Sequence, residues 1–301
     1  MSQFRRLLEY QAIRTLSEEK GYPVETLCSF LHVTRSAYYR WIKNPKSTNE
    51  TRNEEIAEKI RQIHKKHPDM GYRRIRDELE VNHGIDVNDK RILRINRKLQ
   101  IKSTIKYGLC SCTKHAKDPA FVADNVLGRR FHAAAPNEKW VTDVSEFKYY
   151  IGFEVHKVYL SAILDLYDRR IVSFVISDHN DNPLVLDTFD QAVAKEPDAH
   201  PLFHSDRGFQ YTSYDFHDRL KAAGMTQSMS RVAHCIDNGP MEGFWGILKR
   251  ERYYGKHFTD RNELVNMITD YIDYYNYRRL QRKLNIMTPI QFHELYYKNA
   301  A

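Results

Sequence analysis

The sequence predicts a chain in two parts, an all-α amino-terminal region followed by an α/β region in which helices pack on a mixed sheet. Three observations carry this reading. Apolar residues recur at helical spacing as far as Leu99, the pattern switches to β-rich runs at Trp140, and from there the segments follow the order β-β-β-α-β-α-β-α.

At 301 residues the chain exceeds a single small core, so two or three domains of about 100–150 residues are expected. A composition of 42% hydrophobic and 29% charged residues excludes disordered and fibrous classes. The longest nearly uncharged apolar stretch, Val158 to Leu164, falls far short of the roughly 20 residues that span a bilayer. Met1 to Leu8 carries no secretory core, so a cytoplasmic location without membrane attachment is expected. Cys28, Cys110, Cys112 and Cys235 are too scattered for a disulfide framework and read as reduced. Residues 1–135 hold 27 Lys and Arg against 16 Asp and Glu, whereas the remainder holds 20 against 23. A basic front half points to a polyanion partner, and a slightly acidic back half to carboxylates used for something else.

Residues 1–50 read as a helix-turn-helix-like unit. Val24 to Leu31 forms one helix, His32 and Val33 the turn, and Thr34 the N-cap of a helix from Arg35 to Ile42. Residues 51–101 form a second such unit, basic and DNA-binding. Ile56, Ile60 and Ile63 mark its first helix, the break falls at His67 to Gly71, Tyr72 to Leu79 resumes, and Asn88 opens the last helix. There Ile92, Leu93, Ile95 and Leu99 face inward, while Lys90, Arg91, Arg94, Arg97 and Lys98 make a stripe suited to phosphates. Residues 102–137 lack periodicity and read as a linker with a short helix around Asn125 to Phe131. A core follows over 138–256 and a helical extension over 257–301. Within the core, strands are expected at Trp140–Phe147, Val155–Leu164, Ile171–Ile176, Leu202–His204 and Thr226–Met229. Helices are expected at Pro183–Ala194 and Tyr214–Ala223 and from Pro240.

Three acids sit where hard oxygen ligands from separate elements would converge on divalent metal ions. Asp143 lies inside the first strand between Val141 and Val144, where a carboxylate is costly unless something compensates it. Asp206 ends the fourth strand before Arg207 and Gly208, and Glu242 falls in the first turn of a helix opened by Asn238, Gly239 and Pro240. On that helix Glu242, Gly246 and Lys249 share one face and Phe244, Ile247 and Leu248 the other, so Lys249 stands ready to meet a phosphate.

These residues resemble a known family. Asp206 and Glu242 are separated by 35 residues, a spacing like that of the integrase and transposase catalytic core with its Asp, Asp, Glu triad. The strings from Trp140 to Asp143, His204 to Gly208, Gln210 to Ser213, Ser228 to Arg231 and Pro240 to Glu242, with Asp237-Asn238, Tyr275-Asn276 and Arg279, look like the second-frame product of the insertion-sequence three family of bacterial transposases. The resemblance covers nearly the whole chain. It implies a ribonuclease H-like fold, two Mg²⁺ ions for which Mn²⁺ substitutes, hydrolysis at an element end, and transfer of the freed 3′-hydroxyl to another phosphodiester. Asp143 would bridge both metals, Asp206 hold one and Glu242 the other. Lys249, Arg73, Arg74, Arg91, Arg94, Arg97, Lys98, Arg207 and Arg231 would contact DNA. The partners implied are double-stranded DNA with terminal inverted repeats, target DNA, further copies of the chain assembled on DNA, and an upstream-frame helix-turn-helix product, joined by a frameshift. Phe209, His234, Gly243 and Trp245 depart from the commonest family pattern, and none removes a ligand.

Rival readings attach to particular residues. Asp165 is either a metal neighbour or a strand-end group, Asp168 beside Arg169 is a turn residue, and Asp237 shapes the turn before the Glu242 helix. His64, His67, Cys110 and Cys112 invite a zinc site, but their spacings fit poorly. Tyr271, Tyr274, Tyr275 and Tyr277 would either stack on bases or pack in the core, after an Asp260 and Glu263 capping pair. The rival functions for the whole chain are a plain ribonuclease H-like nuclease and a catalytically dead DNA-binding regulator.

Overall fold

The computed structural model describes residues 3–43, 48–106, 121–231 and 235–300. Contacts divide the chain into two compact units, residues 1–68 with 87–102 and residues 69–86 with 103–301.

The first unit contains α1 (Gln3–Lys20), α2 (Val24–Phe30), α3 (Arg35–Lys43), α4 (Thr48–Lys66) and, resuming after α5 (Tyr72–His83), α6 (Asp89–Lys98). The helix α1 was not separated in the sequence. It completes the first helix-turn-helix-like unit by burying Ile13 with Cys28 of α2 and Tyr38 of α3, and Tyr10 stacks on Trp41. The Thr34 hydroxyl accepts from the Ala37 N–H at 3.3 Å, which is the expected cap of α3. Ile56, Ile60 and Ile63 of α4 and Ile92 and Ile95 of α6 are buried, and Asn88 caps α6 by accepting from Lys90 N at 2.8 Å. Cys28 carries a free thiol; Cys110, Cys112 and His234 lie outside the described residues.

The second unit takes in α5, whose end is closed by Gly84 at a left-handed φ of 64°. Its sheet comprises β1 (Lys139–Ile151), β2 (Glu154–Asp165), β3 (Ile171–Ser177), β4 (Leu202–Ser205) and β5 (Thr226–Met229) in the order β3-β2-β1-β4-β5. The first three strands are antiparallel, and β4 and β5 run parallel to β1. This is the expected mixed sheet of a ribonuclease H-like fold. Its helices are α7 (Asn182–Lys195), α8 (Tyr214–Ala222), α9 (Gly239–Leu248), α10 (Arg261–Tyr277) and α11 (Pro289–Ala300).

Side chains alternate across a strand, and β1 divides accordingly. Trp140 packs with Val185, Phe189, Phe203 and Phe216 in the core built on α7 and α8. Val141 and Phe147 pack with Met241, Phe244, Leu248, Leu264 and Ile268 in the core built on α9 and α10. Tyr271, Tyr274 and Tyr275 are buried in that second core, which settles the packing question for three of the four tyrosines; Tyr277 stays exposed. Asp260 caps α10 through the Glu263 N–H.

The short helix expected around Asn125 to Phe131 is absent, and a turn stands in its place. Asn125 Oδ1 accepts from Gly128 N at 2.8 Å, and its amide donates to Asp237 at 2.9 Å. A side chain that satisfies the backbone locally competes with helix formation.

Candidate active site

The register of β1 on β4 brings two of the three acids together. Trp140 pairs with Phe203 and Val141 with His204 in parallel; two residues further on, Asp143 falls opposite Asp206. Neighbouring strands stand about 4.8 Å apart and paired residues point to the same face. Both carboxylates therefore leave the sheet on the side covered by α9. Asp206 is held in the turn after β4 by Gly208 N, which donates to its Oδ1 at 2.8 Å. A Cβ on Gly208 would lie 3.0 Å from that same oxygen, so a larger residue there would have to displace the Asp206 carboxylate by a few tenths of an ångström.

The third acid comes from α9. Pro240 in its first turn needs no N–H partner there, and the Asn238 amide donates to the Thr142 carbonyl at 2.9 Å, one residue before Asp143. Three residues beyond Glu242, the buried Trp245 donates its indole N–H to Asp143 Oδ2 at 3.0 Å. Two donors from α9 thus grip β1 on either side of Glu242. The expected faces of α9 shift accordingly, since Trp245 joins Met241, Phe244 and Leu248 in the buried row and Glu242 is exposed.

The Asp143 carboxyl feels the other two acids. Burial and the facing Asp206 carboxylate push the Asp143 carboxyl up to about 8, with Glu242 adding to the repulsion, against the opposing bonds from Val144 N and Trp245. Partial desolvation also lifts the Glu242 carboxyl above its ordinary value. Among the described residues no lysine or arginine forms an ion pair with Asp143 or Glu242. Nor are three His, Cys, Asp or Glu side chains gathered tightly enough among them to make a ready metal cage. Carboxylate oxygens that repel one another, as those of Asp143 and Asp206 do, are the hard donors that a divalent ion takes.

The other acids are structural. Asp165 is fully buried and accepts from Asn137 N at 2.6 Å, Tyr167 N at 2.7 Å and the Trp140 indole at 3.3 Å. Asp168 turns to Arg170 and to His293 of α11, at 2.7 Å, rather than to Arg169. Asp237 accepts from Arg231 and Arg129 and anchors the turn before α9.

The basic residues separate into two groups. Arg94, Arg97 and Lys98 are exposed on α6, as is Arg73 on α5, while Arg91 bonds Asn53 at 2.8 Å. Arg74 is engaged with Asp69 and Glu251, Arg231 with Asp237, and Arg207 with the Ser230 carbonyl at 2.8 Å. Lys249 follows α9 with its ammonium 4.9 Å from the centre of the Phe147 ring. Sequence reasoning noted Trp245 only as a departure and missed its bond to Asp143. A buried indole usually finds an acceptor, and that tendency was the available signal.

Comparison with known proteins agrees with this architecture. The family described as "Integrase core domain" matches residues 133–235, a second description of the same name matches 242–295, and "HTH-like domain" matches 51–107. The "Putative transposase InsK for insertion sequence element IS150" of Escherichia coli (strain K12) is 36% identical over 273 residues, which cover 90% of this chain and 93% of that one. An "Uncharacterized transposase-like protein" of Haemophilus influenzae is 38% identical over 211 residues, covering 69% and 94%. Among solved structures, the HTLV-2 integrase catalytic core domain in complex with magnesium is 20% identical, with a TM-score of 0.43 over 53% of this chain and 98% of that one. With relatives matched over nearly their full length, the chain belongs to the insertion-sequence three family of transposases, built on an integrase core preceded by an HTH-like domain.

Proposed function

We propose that this chain is a DNA transposase that cleaves the ends of its element and joins them to target DNA, with Asp143, Asp206 and Glu242 as its metal-binding catalytic triad. The observation that supports the reading is the placement of Asp143 beside Asp206, with Glu242 near enough to add to the repulsion on the Asp143 carboxyl. Asp143 on β1 and Asp206 in the turn just past β4 would hold Mg²⁺ or Mn²⁺, and Glu242 would close the site from α9. Bound there, a pair of such ions supplies activation of the attacking oxygen and stabilisation of the leaving one.

The chain's own groups do the remaining work. Trp245 and Val144 N hold the Asp143 carboxylate in one orientation, and Gly208 N does the same for Asp206. Asn238 fixes the start of α9 against β1. Arg94, Arg97 and Lys98 offer charge for the phosphates of double-stranded DNA, including the terminal inverted repeats. Lys249, next along the chain from α9, would meet the backbone near the scissile bond. Two DNA ends must be handled together, which calls for several copies of the chain assembled on DNA, with an upstream-frame product as a further partner.

The test is incubation of labelled element ends with the protein and Mg²⁺. Joined products are expected from the parent and none from Asp206→Asn. Equal joining by both proteins overturns the triad, and cleaved ends that are never joined leave a nuclease instead.

A further inference from the structure

A second buried charged cluster lies at the far end of the Glu242 helix. Past Leu248, α9 widens into a π-turn over Lys249–Tyr253, a rare local form that recurs at functional sites. Its buried row of Met241, Phe244 and Leu248 is continued by Glu251, which is 8% exposed. A carboxylate in such a row is unfavourable unless it is fully paired. Arg279, just past α10, reaches it with Nη2 at 2.7 Å and Nε at 3.2 Å, and the Tyr271 hydroxyl donates at 3.0 Å. Arg74 of α5 reaches it at 2.9 Å. The Arg74 guanidinium also faces Asp69 at 3.0 Å and donates to the Tyr274 hydroxyl at 2.7 Å, while Arg252 of the π-turn pairs with Asp69 at 2.9 Å. Burial works to raise the Glu251 carboxyl, yet Arg279 and Arg74 outweigh it and hold the group below its ordinary value.

We infer that Glu251 is a positioning residue for the reaction: clamped between Arg279 and Arg74, it sets the rotation of α9, and so the direction of Glu242, from a helix that belongs to the HTH-like segment. Glu251 continues the buried row of Met241, Phe244 and Leu248 while Glu242 is exposed, so the two acids stand on different faces of the helix. Fixing the buried carboxylate therefore aims the exposed one. Along the chain α5 lies inside the residues matched as HTH-like, 51–107, yet its contacts group it with the sheet unit. Part of the segment matched as HTH-like thus takes part in placing a catalytic acid. Arg74, expected from the sequence to meet phosphate, serves as the link. The inference rests on the transposase reading only for the role of Glu242.

The experiment compares Arg74→Gln and Glu251→Gln with the parent, all as full-length chains. Three quantities are read: affinity for a labelled duplex from the DNA flanking the gene, measured with Ca²⁺; the single-turnover cleavage rate across a Mg²⁺ titration, which also gives the half-saturating Mg²⁺; and hydrogen exchange of the α9 amides without DNA or metal. The expected result is affinity within about twofold of the parent, a rate lower by about tenfold to a hundredfold, a raised Mg²⁺ half-saturation, and faster exchange confined to α9 and its π-turn. Affinity and rate falling together with α9 exchange unchanged would make Arg74 a phosphate contact and overturn the proposal. No change in any of the three overturns it as well. Should Glu251→Gln prove too unstable to purify, Arg74→Lys keeps the charge but loses the forked geometry. Faster α9 exchange is expected there too, and its absence counts against the proposal. Because exchange needs neither DNA nor metal, this outcome is separable from failure of the transposase reading.

Discussion

Replacing Trp245 by phenylalanine removes one N–H while leaving an aromatic ring in the α9 core. The bond it deletes, 3.0 Å from the indole nitrogen to Asp143 Oδ2, is made to a group that must be anionic to hold a metal. Hydrogen bonds to charged groups contribute about 1.5–3 kcal/mol, and loss of a group that orients a metal ligand typically costs about 10- to 100-fold in metal affinity. The smaller ring also leaves a void costing on the order of 1 kcal/mol of stability, a shift of roughly 2–4 °C in melting temperature. The two effects are separable. A calorimetric Mn²⁺ titration of the metal-free protein reads the first, and a thermal melt without metal reads the second. The expected result is a half-saturating Mn²⁺ concentration at least tenfold higher at pH 7, beside a drop of a few degrees in the melt. The bond from Trp245 opposes the upward push on Asp143, so its loss strengthens proton competition, and the metal deficit should narrow as the pH is raised past 8. A variant with unchanged Mn²⁺ affinity, or with a deficit independent of pH, would show that Trp245 only fills space and would refute the reasoning.

Two further outcomes follow from the electrostatics. Asp143 takes its proton near pH 8 in the folded chain against an ordinary value of 3.8, so its ionised form weakens the metal-free fold, fully above about pH 8 and progressively less as the pH falls toward 3.8. Asp143→Asn should therefore melt above the parent at pH 8.5 by a few degrees, on the order of 1–2 kcal/mol after allowance for solvent screening, and lose the parent's gain in stability between pH 8.5 and pH 5. An Asn variant that melts lower at pH 8.5 contradicts this. On α6, replacing Arg94, Arg97 and Lys98 together by glutamine should weaken binding evenly across sequences and reduce the slope of log affinity against log salt by up to about 2.7. An unchanged slope moves the phosphate contacts elsewhere.

Most of the sheet unit was legible because its signals are local. Runs such as Val155 to Leu164, rich in apolar residues and bounded by short turns, read as strands, and the Asn238, Gly239 and Pro240 start of α9 is a terminus written in three adjacent residues. The proposed triad could be nominated from the sequence because a carboxylate inside an apolar strand, as at Asp143, demands compensation. The helix α1 was harder to separate, since its buried face rests mainly on Ile13, with Leu7, Leu8 and Leu16 left exposed, so that its periodicity is weak. The Asn125 to Phe131 segment looked helical by composition, but Asn125 spends its side chain on Gly128 and Asp237. The zinc reading of His64, His67, Cys110 and Cys112 turns on residues of which two lie outside the described ones.

The partners of the triad were hidden for a different reason. Asn238 meets Thr142 across 96 positions, Trp245 meets Asp143 across 102, and Glu251 meets Arg279 across 28. Nothing at either end of such a pair announces the other, because each residue alone has an ordinary explanation: a cap, a core aromatic, a solvated glutamate. Only the fold turns them into anchors for one helix, one at its start, one past its middle and one at its π-turn, and none of the three is itself a proposed metal ligand. An acid on a surface helix can be aimed at a strand only if the helix cannot roll, and burial of apolar side chains alone restrains rolling poorly because it is non-directional. Directional bonds at both ends supply that restraint. The residues that decide where Glu242 points are thus the ones least recognisable as catalytic from the sequence.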